Sequence, residues 1–375
     1  MPRWSDEMPD EFDPTVELGL PPDRYIVCSC WGFLTRNNDV RDLCGDFIED
    51  GKHFFDILER YDRLTSYVLS REDATAGSYY KWCVPFLKAS GATDHLMHEY
   101  SKKNLQIMPN AKRTMNYISN LLPSYITTAT YEHGMMEILE RLNVPLCQVS
   151  DTKLCMDQSM MGRAEARKIR DLTAEINKLR VPDMFYELNV PTELMDEDVE
   201  IIKTLDSVFP SQISTLGAMG LMESCDPMTS HRKAYRMLDI RRLTSIDLES
   251  TMYIGSAATD FQPLDLVRDA QGLSMSFNGE EFTVRGCNIA VMSEDTTVAA
   301  LFASAFADKG AFFASQIAEN WSRDYLRNMD FSDQALLETF LREHPDDLPE
   351  VYLVTEKNVE KISKRSDAYR KSIIG

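Results

Sequence analysis

The sequence has no surplus of basic residues. Its 40 Lys and Arg residues stand against 60 Asp and Glu residues, which gives a formal net charge of −20. Binding to nucleic acid or to an anionic membrane surface depends on clustered Lys and Arg. We therefore expect no nucleic acid and no membrane among the partners. The one basic stretch, residues 357–371, is typical of a solvated helix face.

Signs of export are also missing. Residues 1–23 are rich in acids and prolines, with no basic segment followed by an apolar one, so they predict an extended arm and not a signal peptide. The eight cysteines are scattered without C-x-x-C spacing, which indicates reduced thiols. The apolar stretch 298–313 is interrupted by charged residues, and we expect it to be too short and too charged to span a bilayer. These observations predict a soluble, cytoplasmic protein.

Two common kinds of site lack their signatures. No G-x-G-x-x-G follows the first predicted strand, which argues against a dinucleotide-binding enzyme. His95 and His98 are three residues apart, but no third ligand stands at a recognisable spacing, so no zinc site is predicted. No cofactor is expected on these grounds.

What the sequence does contain is a β-α-β pattern over residues 251–277. A β-prone run ends in Gly255-Ser256-x-x-x-Asp260, an amphipathic helix follows at 261–271, and a second β-prone run leads to Asn278. Open parallel sheets place their sites at the carboxyl ends of strands. Two earlier β-prone runs also end in polar residues, namely Tyr25 to Cys30 and Tyr125 to Thr130.

The remaining segments are mainly helical in pattern. We predict an N-terminal arm (1–23), an α/β core (24–35 and 121–300) and a helical cap (36–120). A further helical insertion is expected at about 151–230, and residues 301–375 are predicted to be C-terminal helices. A short third strand is expected at 144–149.

This order of elements resembles that of the haloacid dehalogenase (HAD)-like hydrolases. It looks most like the archaeal HAD-like proteins of unassigned function that carry a large helical cap. The resemblance covers roughly residues 25–300 and implies a Rossmannoid parallel sheet with helical cap insertions. By the family's motifs, Thr128 matches the hydroxyl that holds phosphoryl oxygens, Lys233 the charge-neutralising lysine, and Asp260 the second acid of the magnesium-binding turn.

Three positions depart from the family's pattern. The nucleophile position falls on Ser29, or on Cys28 or Cys30 if the register shifts by one, and no Asp lies between Tyr25 and Asn38. The acid/base position falls on Trp31, and the first acid of the magnesium-binding turn is Ser256. Mg²⁺ is usually held by one or two carboxylates with phosphate and water, and an aspartyl-phosphate needs a carboxylate nucleophile. Only Asp260 remains, as a weak metal ligand.

Each candidate residue also has a structural interpretation. Thr128 could be a β-former, Lys233 a solvated helix residue, and Asp260 the N-cap of the following helix. Cys28 and Cys30 could be small buried hydrophobes in place of reactive thiols, and Ser29 the hydroxyl that contacts a ligand. Ser256 and Asn278 complete the predicted set of ligand-binding residues.

Two functional hypotheses remain open. The preferred one is a catalytically degenerate HAD-fold protein that binds a small anionic or phosphorylated ligand or acts as an interaction scaffold for an unidentified protein partner. The alternative is an active Mg²⁺-dependent phosphatase in which acids such as Asp39, Asp42 or Asp151 replace the missing ones. Convergence of carboxylates near Asp260 would favour the alternative.

Overall fold

The computed structural model describes residues 23–72, 74–145, 148–181, 186–187, 190–191, 195–213 and 216–374. The predicted N-terminal arm, apart from its last residue, and Cys147 lie outside the described residues. Within them the chain forms a mostly parallel sheet and many helices, as the fold class predicted from the sequence requires.

The strands of the main sheet have the following bounds: β1 Tyr25–Cys28, β2 Ser124–Tyr131, β3 Val149–Thr152, β6 Thr251–Gly255, β7 Leu273–Phe277, β8 Ile289–Met292 and β9 Glu350–Leu353. A separate two-residue pair consists of β4 Tyr186–Glu187 and β5 Val190–Pro191.

The helices before β6 are α1 Asp39–Phe47, α2 Gly51–Arg63, α3 Tyr79–Ala89, α4 Asp94–Asn104, α5 Ala111–Leu121, α6 Glu132–Leu142, α7 Arg163–Ile176, α8 Asp196–Ser207, α9 Ala218–Ser224 and α10 Ser230–Thr244. Those after β6 are α11 Phe261–Asp269, α12 Glu281–Arg285, α13 Thr297–Glu319, α14 Arg323–Asn328, α15 Gln334–Glu343 and α16 Val359–Ile373.

The sheet has seven strands in the order β3-β2-β1-β6-β7-β8-β9. All neighbours pair in parallel except β8 and β9, which are antiparallel. β1 lies centrally and pairs with β2 through Val27 and Tyr125, and with β6 through Val27 and Tyr253. The carboxyl ends of β1, β6 and β7 therefore meet at one edge.

Both faces of the sheet are covered, and the central strands β1, β6, β7 and β8 are buried along their whole length. Alternate side chains of β1 point to opposite faces. Ile26 and Cys28 join the core formed with α5, α6 and α13, whereas Tyr25 and Val27 join the core formed with α10, α11 and α16.

The two helical insertions share one apolar core, which is distinct from the cores on the sheet. Most of its residues come from α1 to α4 and from residues 154–225, and Ala129 and Tyr131 of β2 also belong to it. Trp82 of α3 stacks on Phe209 with ring centroids 5.1 Å apart, and Phe54 of α2 lies 4.7 Å from Phe86. The last helix of the predicted cap segment, α5, packs on the sheet instead, through Met115 and Ile118.

Two sequence predictions about strands were wrong. The third strand begins at Val149 and not at Val144, because residues 144–145 belong to the turn after α6. Residues 301–375 are predicted to be helical, yet Glu350–Leu353 forms β9. This edge strand is short and half-exposed, so its four residues carry too little of a periodic pattern to be recognised.

Helix α13 is the longest and most apolar helix. Among the described residues it is the one helix with the length and composition to cross a membrane, and 61% of its most apolar window is buried inside the protein. Gly310 breaks it with φ 80° and ψ −173°. Before the break, Val298 to Phe306 lie buried against the sheet, so this half serves as a core helix.

Candidate functional site

Four of the predicted residues meet at the carboxyl edge of the sheet. Ser29 follows β1, Ser256 follows β6 and Asn278 follows β7, while Asp260 ends the 3-10 turn Ala258–Asp260 after β6. All four are at least 97% buried. The parallel register of β1, β6 and β7 is what brings these separate segments together.

Asp260 is the centre of the cluster and accepts five hydrogen bonds. Lys233 Nζ lies 2.7 Å and the Tyr253 hydroxyl 2.9 Å from Oδ1. Ser29 Oγ lies 2.9 Å from Oδ2. The backbone N–H groups of Ser256 and Ala257 donate to Oδ2 as well, at 2.9 and 3.0 Å.

These donors determine the charge state of the carboxyl. Burial acts to raise the pKa of Asp260, but the attraction and hydrogen bond of Lys233, together with the two backbone donors, outweigh it. The pKa of Asp260 is therefore below its ordinary value, and the group is an anion at neutral pH. The N-cap interpretation of Asp260 does not hold, because its side chain makes no capping bond to α11.

Lys233 is buried, contrary to the interpretation as a solvated helix residue. It is 1% exposed on α10, and its Nζ also donates to Thr259 Oγ1 at 3.0 Å. Thr229 caps α10 by accepting from Arg232 N, and the first turn then directs Lys233 to the strand ends. The position predicted from the resemblance thus lies next to Asp260.

Thr128 takes no direct part in this cluster. Its hydroxyl bonds Thr130 Oγ1 at 3.0 Å and accepts from Thr130 N at 3.2 Å, within β2. The preceding residue, Thr127, reaches the cluster instead, because its Oγ1 lies 3.1 Å from the Tyr253 hydroxyl. Sequence reasoning missed Thr127 and Tyr253, since both sit inside strands and resemble ordinary β-formers.

Arg370 of α16 is a further residue that the sequence did not suggest. Its Nη1 donates to Ser256 Oγ at 2.6 Å and to the Asn278 carbonyl at 2.8 Å. The guanidinium also lies 4.1 Å from the centroid of the Trp31 ring. Arg370 is only 5% exposed, so the expectation that residues 357–371 form a purely solvated face was wrong at this position.

A second acid, Glu280, links Arg370 to the helical insertion. Its Oε2 lies 2.8 Å from Arg63 of α2, and its Oε1 lies 3.5 Å from Arg370. Arg63 also pairs with Glu59 at 3.0 Å. Burial raises the pKa of Glu280 above its ordinary value, although the two arginines act to lower it.

These residues do not suit a magnesium ion. Mg²⁺ requires octahedral oxygen ligation that includes carboxylates. Both oxygens of Asp260 already accept from the chain's own donors, and the guanidinium of Arg370 lies against Ser256. No group of three His, Cys, Asp or Glu side chains with metal-ligand geometry occurs among the described residues.

The acids considered as replacements have other partners. Asp39 accepts from Ser101 Oγ at 2.8 Å, Asp42 pairs with Lys52 at 2.9 Å, and Asp151 pairs with Lys153 at 2.7 Å.

The cysteines at the end of β1 are poorly suited to nucleophilic chemistry. Burial raises the pKa of Cys30 to about 12 and that of Cys28 well above its usual value, so both remain neutral thiols. Cys28 Sγ lies 4.0 Å from Met115 Sδ, in the core beneath the strand.

Two of the histidines, His98 and His133, lie in a contact between α4 and α6 that is separate from the strand ends. His133 Nε2 lies 2.8 Å from Asp94, and His98 Nδ1 lies 3.4 Å from the His133 carbonyl oxygen.

A surface groove of about 480 Å³ lies away from the strand ends. It runs along the helical insertions between the α1–α2 turn and α7, and its lining includes Ile48, Asp50, Arg170 and Asn177. None of the predicted site residues contributes to it.

Comparisons with known proteins bear on the fold. No family model and no curated protein sequence matches this chain. The solved structure of gene product AF1437 from Archaeoglobus fulgidus matches with a TM-score of 0.72 and 16% identity, over 94% of this chain and 97% of that one. A substrate-bound phosphoserine phosphatase matches with a TM-score of 0.43 and 10% identity, over 73% of this chain and 94% of that one. A probable phosphoserine phosphatase from Vibrio cholerae matches with a TM-score of 0.40 and 11% identity, over 79% and 68%.

The two phosphatase likenesses are too weak to carry an argument. The likeness to the archaeal protein covers nearly the whole of both chains and shows a shared fold. The strand order and the helical insertions after β1 and β3 agree with the parallel α/β sheet and the insertions predicted from the sequence. The chain therefore shares its fold with this archaeal protein, a mostly parallel sheet covered by helices and carrying helical insertions.

Proposed function

We propose that this chain is a catalytically degenerate HAD-fold protein, soluble and cytoplasmic, that acts by binding and not by phosphoryl transfer. The observation that supports this most directly is the hydrogen bond from Ser29 Oγ to Asp260 Oδ2. The residue at the nucleophile position is a hydroxyl that donates to the one remaining acid.

The chemistry of these groups explains why turnover is not expected. An aspartyl-phosphate intermediate needs a free carboxylate nucleophile and a nearby acid for the leaving group. Asp260 is held by its five donors, and the acid/base position is occupied by Trp31, whose ring lies under Arg370.

Of the two binding roles considered, the scaffold role has more support than the binding of a small anion. A phosphorylated ligand would need a cation that is not already neutralised. The three buried or half-buried cations here, Lys233, Arg63 and Arg370, each have a carboxylate partner, namely Asp260 or Glu280. The anion-binding role would require one of these ion pairs to open.

The test is hydrolysis of a panel of phosphate esters with Mg²⁺ or Mn²⁺ by the purified protein. We expect rates equal to those of the protein-free control. Two variants accompany the wild type: Asp260→Asn removes the central carboxylate, and Asp239→Asn removes a half-exposed carboxylate that pairs with Arg242. Circular dichroism establishes that each variant is folded, and Ser29→Ala replaces Asp260→Asn if the latter does not fold.

Turnover that persists in Asp239→Asn and disappears in Asp260→Asn would overturn the proposal in favour of an active phosphatase. A separate arm measures the melting temperature with inorganic phosphate and phosphoserine. A rise that is lost in Lys233→Met would show that the anion-binding role is the correct one.

A further inference from the structure

Arg370 is a charged residue of α16 whose side chain contacts the strand-end cluster, at Ser256 and at the Asn278 carbonyl oxygen. The buried residues of α16 are Ile362, Ser363, Ser366 and Arg370, and Ile362 joins the apolar core on one face of the sheet. Ser366 Oγ donates to the Gly279 carbonyl at 2.6 Å, which fixes the helix beside the turn after β7.

Arg370 contacts three groups at the strand ends. It donates to Ser256, which stands where the resemblance predicts the first acid of the magnesium-binding turn. It lies on the ring of Trp31, which stands at the predicted acid/base position. Its third partner, the Asn278 carbonyl oxygen, ends the adjacent strand. The guanidinium therefore lies against two of the three positions at which the resemblance predicts a carboxylate that this sequence lacks.

We propose that Arg370 is an internal cation that takes the place of the metal ion of HAD-like hydrolases, and that it holds α16 against the strand ends. This inference rests on the proposed degenerate function. Loss of the acids would leave the carbonyl and hydroxyl oxygens at this edge without a cation, and a guanidinium supplies one through directed N–H donors.

Arginine suits this position for physical reasons. Its guanidinium is planar, keeps its charge when buried and stacks on aromatic rings. The ammonium group of Lys is a point charge that loses its proton more readily when buried. The carboxylate of Glu280, 3.5 Å away, neutralises the charge that burial would otherwise make costly. The groups in contact with the guanidinium are one carboxylate, two carbonyl oxygens, one hydroxyl and one indole ring. The charges of Glu59, Arg63 and Asp367 also act on it.

The experiment asks whether exchanging the cation restores a metal site. The double variant Ser256→Asp with Arg370→Met returns a carboxylate to the turn and removes the guanidinium. We expect its melting temperature to rise with MgCl₂, by about 2 °C at ten times the dissociation constant. The wild type and the single variant Arg370→Met are expected to show no such rise, and Arg370→Met is expected to melt several degrees below the wild type.

Two control variants test whether the guanidinium itself, at this position, is what stabilises the fold. Arg370→Lys keeps the charge without the planar fork and is expected to recover only part of the lost melting temperature. Arg365→Met removes an exposed arginine of the same helix, paired with Glu350, and is expected to leave the melting temperature near the wild-type value.

Two outcomes would overturn the inference. One is a Mg²⁺-dependent rise in the wild type as large as that in the double variant. The other is a double variant that folds, as shown by circular dichroism, but does not respond to Mg²⁺. If no Arg370→Met variant folds, the melting temperature of the wild type is still measured with MgCl₂ and with a chelator. A rise with MgCl₂ that the chelator reverses would overturn the inference. Phosphate-ester turnover plays no part in either outcome, so the proposed function can fail or hold independently.

Discussion

Two buried acids, Asp260 and Asp39, illustrate how similar burial gives opposite electrostatics. Asp260 is 0% and Asp39 3% exposed. Asp260 has a lysine and four further donors, and its pKa lies below the ordinary value. For Asp39, burial raises the pKa to about 7, with Ser101 acting to lower it and Asp42 to raise it.

The surroundings of Asp39 explain the difference. Its Oδ2 accepts from Ser101 Oγ and lies against Gly134, where the absence of a side chain leaves it room. Its Oδ1 has no hydrogen-bond partner within the described part of the chain. A buried carboxylate without a cation is costly, so the proton is retained to higher pH.

The two acids differ in whether their charge changes near neutral pH. Asp260 resembles a group at an active site by position, yet it is locked as an ion pair. Asp39, by contrast, titrates near neutral pH. Predicted sites and responsive groups therefore need not coincide in this fold.

The largest effect is expected from Lys233→Met, which leaves the Asp260 charge buried without its cation. Removing one partner of a buried pair costs about 3–5 kcal/mol of unfolding free energy. Urea unfolding followed by circular dichroism measures the change. The matched control is Lys203→Met on α8, whose pair with Glu200 is exposed on both sides and should contribute at most about 1 kcal/mol.

The double variant Lys233→Met with Asp260→Asn sharpens this prediction. It removes both charges, so we expect it to be more stable than Lys233→Met alone. If the two substitutions add without coupling, the locked pair described here does not exist in solution.

An effect of similar size, spread over several pH units, concerns Asp39. Because the folded-state pKa of about 7 exceeds the ordinary value of 3.8, the folded protein binds this proton more tightly than the unfolded chain. The contribution of this proton to the unfolding free energy is complete below about pH 4. It falls as the pH rises through 7, and above that pH it has been lost. The full loss is on the order of 4 kcal/mol.

The measurement is the unfolding free energy of the wild type and of Asp39→Asn between pH 4.5 and 8. Burial also raises the pKa of Asp62 and Glu280, so the wild-type slope contains other contributions. The difference between the two proteins isolates Asp39, and we expect Asp39→Asn to lose less stability as the pH rises. Parallel curves would show that Asp39 is already ionised in the folded state.

The smallest effects compare one donor at each acid. Ser29→Ala removes one of the five donors of Asp260 and should cost about 1 kcal/mol at every pH between 5 and 8. Ser101→Ala removes the donor to Asp39 Oδ2 and should cost a similar amount above pH 7, but less below it, because the protonated acid depends less on a donor. An equal cost of Ser101→Ala at pH 5 and pH 8 would contradict this account.

The sequence allowed the sheet to be predicted because its central strands are continuous apolar runs that end in polar residues. The same pattern placed Ser29, Ser256, Asp260 and Asn278 at one edge, and the resemblance added Lys233. β9 was not predicted, because an edge strand of four residues is too short to show a recognisable alternation of apolar and polar residues.

Arg370 and Tyr253 could not be predicted, for a different reason. Arg370 lies on a helix that is otherwise charged and exposed, and its role depends on packing against residues 114 positions away. Tyr253 lies inside a strand whose residues are all buried, so its hydroxyl is not distinguished from the apolar side chains around it. Long-range packing of this kind leaves no local mark in the sequence.

Gly32 suggests how distant homologues of this chain could be recognised. Its φ of 89° favours glycine, and any side chain there would meet both Ser256 Oγ and the Arg370 guanidinium. A lineage that keeps arginine at position 370 and a small hydroxyl at 256 should therefore also keep glycine at 32. These three positions, and not the usual pair of aspartates, would then form the evolutionary signature by which such proteins could be told apart from active hydrolases.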